Sequence, residues 1–353
     1  MAKQRILKFD IIRLVALIMI MVIHASAYII LMLEEPGVST NSDYIWANVF
    51  NGIGRAGVPM FLMLSGALIL DERKPFNTVS FYKKHLGWLF ALFIIWLVLY
   101  GVFYTFMPVK TSFFEYIMNF QGSDYPHLWY MYVLLSMYLA IPVYRMICKK
   151  ENEKLVRNLL LILFAAVLLS DLFRYLAAQT GVDSYFANCR FDKIASYIAY
   201  PFIGWYISNV EIPKKHRFII YALGLVSLAA IILLVQFQYE IIGDGSMRGF
   251  VSDPNTPSAM LYSTALFLLI STLAGTRVGH SPAVKSISTL SFGIYLVHVA
   301  YEEVLTRLIW PFTGEIDAWL YIPVAFLIIF ICSYITCLVL SKIPLVKKLI
   351  YIK

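Results

Sequence analysis

Residues 9–33 read FDIIRLVALIMIMVIHASAYIILML, and this stretch decides the fold. It exceeds the roughly 20 apolar residues that a helix needs to cross a hydrocarbon core of about 30 Å. Yet it carries Asp10, Arg13 and His24. The eleven residues from Arg13 to His24 advance a helix by roughly 1100°, about 20° past three turns, and by about 16 Å along its axis. The two side chains therefore share one face, with Arg13 near the surface and His24 at mid-depth. An ionisable residue inside a span is a functional position by default. Two in line suggest a long ligand with an anionic head that reaches into the membrane from one side. The structural alternatives are an arginine that snorkels to the interface and a histidine satisfied by a neighbouring helix.

The rest of the chain keeps this character. Hydrophobic residues make up 60% of the 353 and charged residues 14%, with a mean hydropathy of +0.74. This composition describes an integral membrane protein without a soluble domain of useful size. Ten apolar runs occur, at about 11–33, 44–70, 85–107, 128–147, 156–178, 191–209, 218–239, 258–274, 287–309 and 317–341. The expected fold is an all-α bundle of about ten transmembrane helices, in one domain over residues 1–353. With the N-terminus in the cytoplasm, the segments that face it are MAKQRILK, DERKPF to YKKH, RMICKKENEKLVR, PKKHR, GTRVGHSPAVK and SKIPLVKKLIYIK. They hold 21 of the 29 lysines and arginines, as cytoplasmic segments do. Both termini are thus expected in the cytoplasm. The net charge of +8 reads as a topology signal, not as a nucleic-acid patch. The opening MAKQRILK mimics a signal peptide, but the run behind it is too long and no small-x-small site closes it.

Common soluble chemistries find no footing. Cys148, Cys189, Cys332 and Cys337 form neither a metal spacing nor a disulfide framework, and no metal site is expected. Neither a Walker loop nor G-x-S-x-G, H-E-x-x-H or G-x-G-x-x-G appears. The outward segments EEPGVSTNSD, TSFFEYIMNFQGSDYPH and GDGSMRGFVSDPNTP are acidic and polar. The aromatics Tyr125, Trp129, Tyr130 and Tyr132 read as an interface belt or as a sugar-binding surface.

Further ionisable residues lie at depth. The second span, NVFNGIGRAGVPMFLMLSGALIL (48–70), has Gly52, Gly54, Gly57 and Pro59 around Arg55, which predicts a broken helix. Such backbone is tolerated at depth only inside protein or beside a cavity. Arg55 lies about as deep as His24 and must face inward, either as a structural pair or to position an anionic or carbonyl group. His127 is expected at the outer mouth of the fourth span, HLWYMYVLLSMYLAIP (127–142), with Trp129 one turn inside. In SFGIYLVH (291–298), Tyr295 and His298 share a helical face, and His298 is also at mid-depth. Asp171 and Arg174 are spaced to pair with each other.

Taken together, these residues resemble the acyltransferase 3 family of multi-pass membrane O-acyltransferases. The elements that carry the resemblance are Asp10 with the R-x10-H of Arg13 and His24, GVPMFLMLSG, HLWYMYVLLSMYLAIP, FDKIASYIAYPFIGWYIS and SFGIYLVH, in this order over nearly the whole chain. The chain is similar to the bare ten-span type that acetylates enterobacterial common antigen. The resemblance implies an acyltransferase of the bacterial inner membrane, acting on groups other than amino-acyl. It implies transfer of an acyl group, expected to be acetyl, from cytoplasmic acyl-CoA to a hydroxyl of a cell-envelope glycan or glycolipid. His24 is implied to be the essential catalytic residue and Arg13 to help bind the coenzyme. Asp10 and Arg55 are expected on the donor side, and His127, Trp129, Tyr295 and His298 on the acceptor side. Acyl-CoA is expected as a substrate and not as a resident cofactor, and the expected partners are the glycan acceptor, the bilayer and a second copy of the chain. The competing reading is a small-molecule transporter, since related domains accompany membrane serine racemases to which a transport role is attributed.

Overall fold

The computed structural model describes residues 6–107, 113–118, 127–180, 191–275, 281–309, 316–344 and 346–351. Tyr125, Cys189 and most of the 111–127 connection lie outside them. Among the described residues the regular elements are all helical. In chain order the α-helices are α1 Leu7–Leu33, α2 Ser42–Gly54, α3 Gly57–Ile69, α4 Thr78–Thr105 (which includes a π-helical turn at Tyr82–Leu86), α5 Phe113–Met118, α6 Trp129–Ile147 and α7 Glu153–Thr180. There follow α8 Phe191–Asn209, α9 Lys214–Gln236, α10 Gln238–Ile242, α11 Met247–Val251, α12 Pro257–Ala274, α13 Pro282–Val304 and α14 Ala318–Lys342.

Nine candidate spans are found among the described residues, α2 and α3 counting together as one. The chain is thus an all-α, multi-pass membrane protein. The tenth expected span, α8, is a helix of 19 residues but does not have the apolar content of the other nine. The reason lies in its burial. Asp192 and Ser196 are fully buried, as are Tyr200 and Trp205 to within 1%, so its polar side chains meet protein where lipid would penalise them. Asp171 and Arg174 pair as expected, at 3.1 Å. Arg174 also reaches Asp192 at 3.2 Å, and Asp192 accepts a further hydrogen bond from Asn255. The pair is therefore joined to Asp192 and Asn255, which are both buried.

The chain divides into two compact units. The first comprises Met1–Arg73, Val143–Ser288 and Asp317–Pro323. In it α1 packs on α2, α3 and α12, while α8 lies between α3 and α7, and α9 packs on α12. The contact of α3 with α8 is backbone to backbone. A Cβ at Gly204 would collide with the Met63 carbonyl, and one at Gly66 with the Pro201 carbonyl. Small residues let helices approach this closely in membranes, where packing replaces the hydrophobic drive.

The second unit comprises Lys74–Pro142, Thr289–Ile316 and Val324–Lys353. The tail, expected on the cytoplasmic side, folds into this unit as a short 3₁₀ turn over Val346–Ile350. Trp96 donates its indole N–H to the Leu349 carbonyl at 3.0 Å, and Trp88 donates to the Tyr351 carbonyl at 3.1 Å. Ile350 is fully buried against Gly293. Lys347 and Lys348 are exposed, which keeps their charge out of the packed side.

Candidate functional site

In the first unit, α1 positions Asp10, Arg13 and His24 along one rigid element. The Arg13 guanidinium donates from Nη1 to Ser288 Oγ at 2.9 Å, and that hydroxyl donates to Asp10 Oδ1 at 2.6 Å. Arg13 and Asp10 also approach directly, at 3.7 Å. Asp10 is buried, whereas the Arg13 side chain keeps 25% of its exposure. Arg13 is therefore aimed by its neighbours while still accessible, which distinguishes it from an arginine that merely snorkels. A guanidinium held this way offers a planar fork of donors to phosphate.

The second span breaks where its glycines predict. The helix stops at Gly54 and restarts at Gly57, with Arg55 and Ala56 between. The break lies tight against α1. A Cβ at Gly54 would come within 2.7 Å of the Met19 carbonyl oxygen, and one at Gly57 within 2.9 Å of that of Ala16. Pro59 falls in the first turn of α3, where a missing N–H costs little. The Tyr262 hydroxyl donates to the Ile53 carbonyl at 2.9 Å, so one acceptor released by the break is satisfied from α12.

This arrangement holds Arg55 in a network. Its Nε and Nη2 donate to Asn51 Oδ1 at 2.9 and 2.5 Å. Asn51 in turn donates to Ser26 Oγ on α1 at 3.1 Å. Arg55 Nη1 lies 3.8 Å from Asp253 Oδ1 in the loop before α12. His24, two residues before Ser26, is buried to 9% exposure and sits within electrostatic reach of Arg55. The structure thus places Arg55 with His24, and Arg13 with Asp10, on the same helical scaffold.

The second unit gathers three of the remaining candidates. The Tyr295 hydroxyl donates to the His127 carbonyl, and His298 Nδ1 lies 2.5 Å from the Tyr295 carbonyl, one turn back on α13. The His127 ring packs edge-on to Tyr100 at 4.5 Å and lies 5.9 Å from the His298 ring. His127 is not at a mouth: it is 3% exposed, and Tyr295 and His298 are as deeply buried. The aromatic surroundings of Tyr100 and Tyr295 draw the imidazole inward. Trp129 stands outside this cluster, half-buried, with its ring against Tyr130.

Several residues of these networks escaped the sequence reading, Asn51, Ser26, Ser288 and Asp253 among them. Asn51 stands four residues before Arg55, a spacing that helical geometry makes adjacent, so it was within reach. Ser288 and Asp253 are brought in from α13 and from a loop, and nothing local marks them.

A family model described as an acyltransferase domain matches residues 6–338. No curated protein and no solved structure matches the chain.

Proposed function

The chain belongs to the acyltransferase 3 family, and on that premise we propose that it carries an acyl group from cytoplasmic acyl-CoA to a hydroxyl of an extracytoplasmic glycan. Membership makes it a membrane enzyme that transfers acyl groups. The donor, the acceptor and a place in a bacterial inner membrane are our reading. One observation carries it: a single helix bears an aimed, accessible Arg13 and, eleven residues on, a buried His24 beside the Arg55 break. Since the family match spans residues of both compact units, we treat them as one functional domain.

In this reading the phosphates of the donor meet Arg13, oriented by Ser288 and Asp10, and its thioester lies beside His24, about 16 Å along α1. The unprotonated imidazole accepts the proton of the acceptor hydroxyl as that oxygen bonds to the thioester carbon. The carbonyl oxygen gains negative charge, which Arg55, preoriented by Asn51, is placed to stabilise. The carbon–sulfur bond then breaks, and the thiolate of coenzyme A takes the proton back from the imidazolium. Attack by His24 itself on the thioester carbon, with the coenzyme A thiolate expelled, gives an acyl-imidazole that the hydroxyl then opens, freeing the imidazole as its proton passes to the thiolate, and uses the same geometry. Trp129, half-exposed, is the acceptor-side candidate with surface to offer a sugar.

The test supplies acetyl-CoA to one face of oriented vesicles that contain the glycan acceptor on the other. Acylation is expected only with the donor on the basic, cytoplasmic face. Equal acylation with the donor confined to the acidic-loop face sinks the cross-membrane arrangement. The broken second span also suits a transporter. Uptake of serine in the same vesicles, with no ester formed, would favour that reading.

Arg13 yields a second expectation. Arg13→Ala should weaken acetyl-CoA binding by about tenfold or more, corresponding to loss of one charge-assisted contact. Arg13→Lys should lose less, since it keeps charge without the fork. Calorimetric titration with acetyl-CoA checks this, and unchanged affinity in both variants returns Arg13 to an interface anchor.

A further inference from the structure

The first unit contains a cavity of about 590 Å³ that has no lining residue in common with the networks of Arg13 and Arg55. It is a cleft between α7 and α9, floored by α8 and α12. Its inner surface is apolar, with Phe164 and Leu161 on one wall, Ile220 on the other, and Ile203 and Met260 beneath. The charged groups gather at one end, with Glu153 and Arg157 of α7, Glu211 in the loop before α9 and His216 in its first turn.

The dimensions and the position point to a lipid. From Glu153 to Phe164 the helix rises about 16 Å, close to the depth of one leaflet of a core about 30 Å thick. The outer faces of both walls are strongly apolar, with Ile162 66% and Phe218 73% exposed, and the lining residue Leu161 is itself 64% exposed, so the cleft opens sideways onto hydrocarbon. An apolar hollow of this size does not hold water stably, whereas an acyl chain fills it from the side. The volume lies within the range of specific ligand sites, about 300–1,000 Å³.

The polar end narrows the class. Two carboxylates, Glu153 and Glu211, stand beside one guanidinium and one imidazole. A net-negative headgroup would meet both carboxylates. A headgroup that joins a phosphate to a primary ammonium complements both signs, with Arg157 on the phosphate and the glutamates accepting N–H bonds from the ammonium. A quaternary ammonium has no such N–H to donate. We infer that this cleft is a binding site for a zwitterionic, amine-bearing phospholipid of the phosphatidylethanolamine class, with one acyl chain laid between α7 and α9 in the leaflet on the basic side.

The protein is reconstituted in nanodiscs of equal phosphatidylethanolamine, phosphatidylglycerol and phosphatidylcholine, and the retained lipid is identified by native mass spectrometry. One phosphatidylethanolamine should remain bound, enriched about tenfold over the bilayer composition. Glu153→Gln with Glu211→Gln should keep a bound lipid but reduce its enrichment to the bulk ratio. Both residues are exposed, so the amides leave the fold intact. Ile220→Trp, which fills the cleft from its wall, should remove the lipid. Retention of phosphatidylglycerol instead, of acyl-CoA, or of lipids in the bulk ratio by the unaltered protein overturns the assignment. None of these readouts depends on acyl transfer, so failure here leaves the enzymatic reading standing.

Discussion

His24→Ala should abolish acyl transfer while the protein still inserts and folds. The imidazole is buried on α1 beside Arg55, and a positioned base contributes about 10²–10⁴-fold in rate. Alanine is the best helix former, so α1 itself loses nothing in propensity. His24→Gln serves as a near-isosteric companion that keeps a polar group at the site without a titratable nitrogen. Glycan acylation is measured in membranes with equal protein content, alongside acetyl-CoA affinity. Loss of transfer with retained affinity is the expected pattern. A well-expressed His24→Ala variant that acylates near the normal rate removes His24 from the chemistry.

The second large effect is on stability and falls on the contact of α3 with α8. In Gly204→Ala the added methyl meets the Met63 carbonyl, and in Gly66→Ala it meets that of Pro201. In both cases the obstacle is backbone, so no rotamer change relieves it and the helices must part. Overpacking of this kind costs about 1–3 kcal/mol, and more where backbone must move. Gly249→Ala is the control, because its nearest neighbour is the tip of Arg174 at 4.0 Å and alanine favours the helix there. Thermal unfolding in detergent should show a marked loss for Gly204→Ala and little change for Gly249→Ala. Equal midpoints for the two would mean that the α3–α8 contact is not as tight as described.

The span pattern was legible because lipid imposes one rule along the whole chain: every crossing segment must be long, helical and apolar. That rule fails for α8, whose Asp192 and Ser196 are enclosed by its own unit. The tail lies outside that rule, and the packing of its Ile350 against Gly293 depends on the fold alone. The break at Arg55 was legible for a different reason. Glycine and proline act locally, so their effect can be read without knowing the neighbours. The likeness in depth and face of Arg13 and His24 also follows from helical geometry alone. What holds these groups in place does not. Ser288 stands 275 residues from Arg13, and its hydroxyl looks like any other serine until the chain has folded. His127 shows the opposite failure, since a polar residue at the start of a span reads as surface although aromatic rings enclose it.

The short turn at 346–351 works as a latch on the second unit. Two indoles that would otherwise need other acceptors within the unit find them in its peptide carbonyls, and a single isoleucine plugs the hollow beside Gly293. The chain beyond the last long helix is thereby pinned to α4 through Trp88 and Trp96 and to α13 through Gly293. Severing that latch would leave two indoles without these acceptors and uncover Ile350, so a few residues past the end of α14 bear on the packing of α4 and α13.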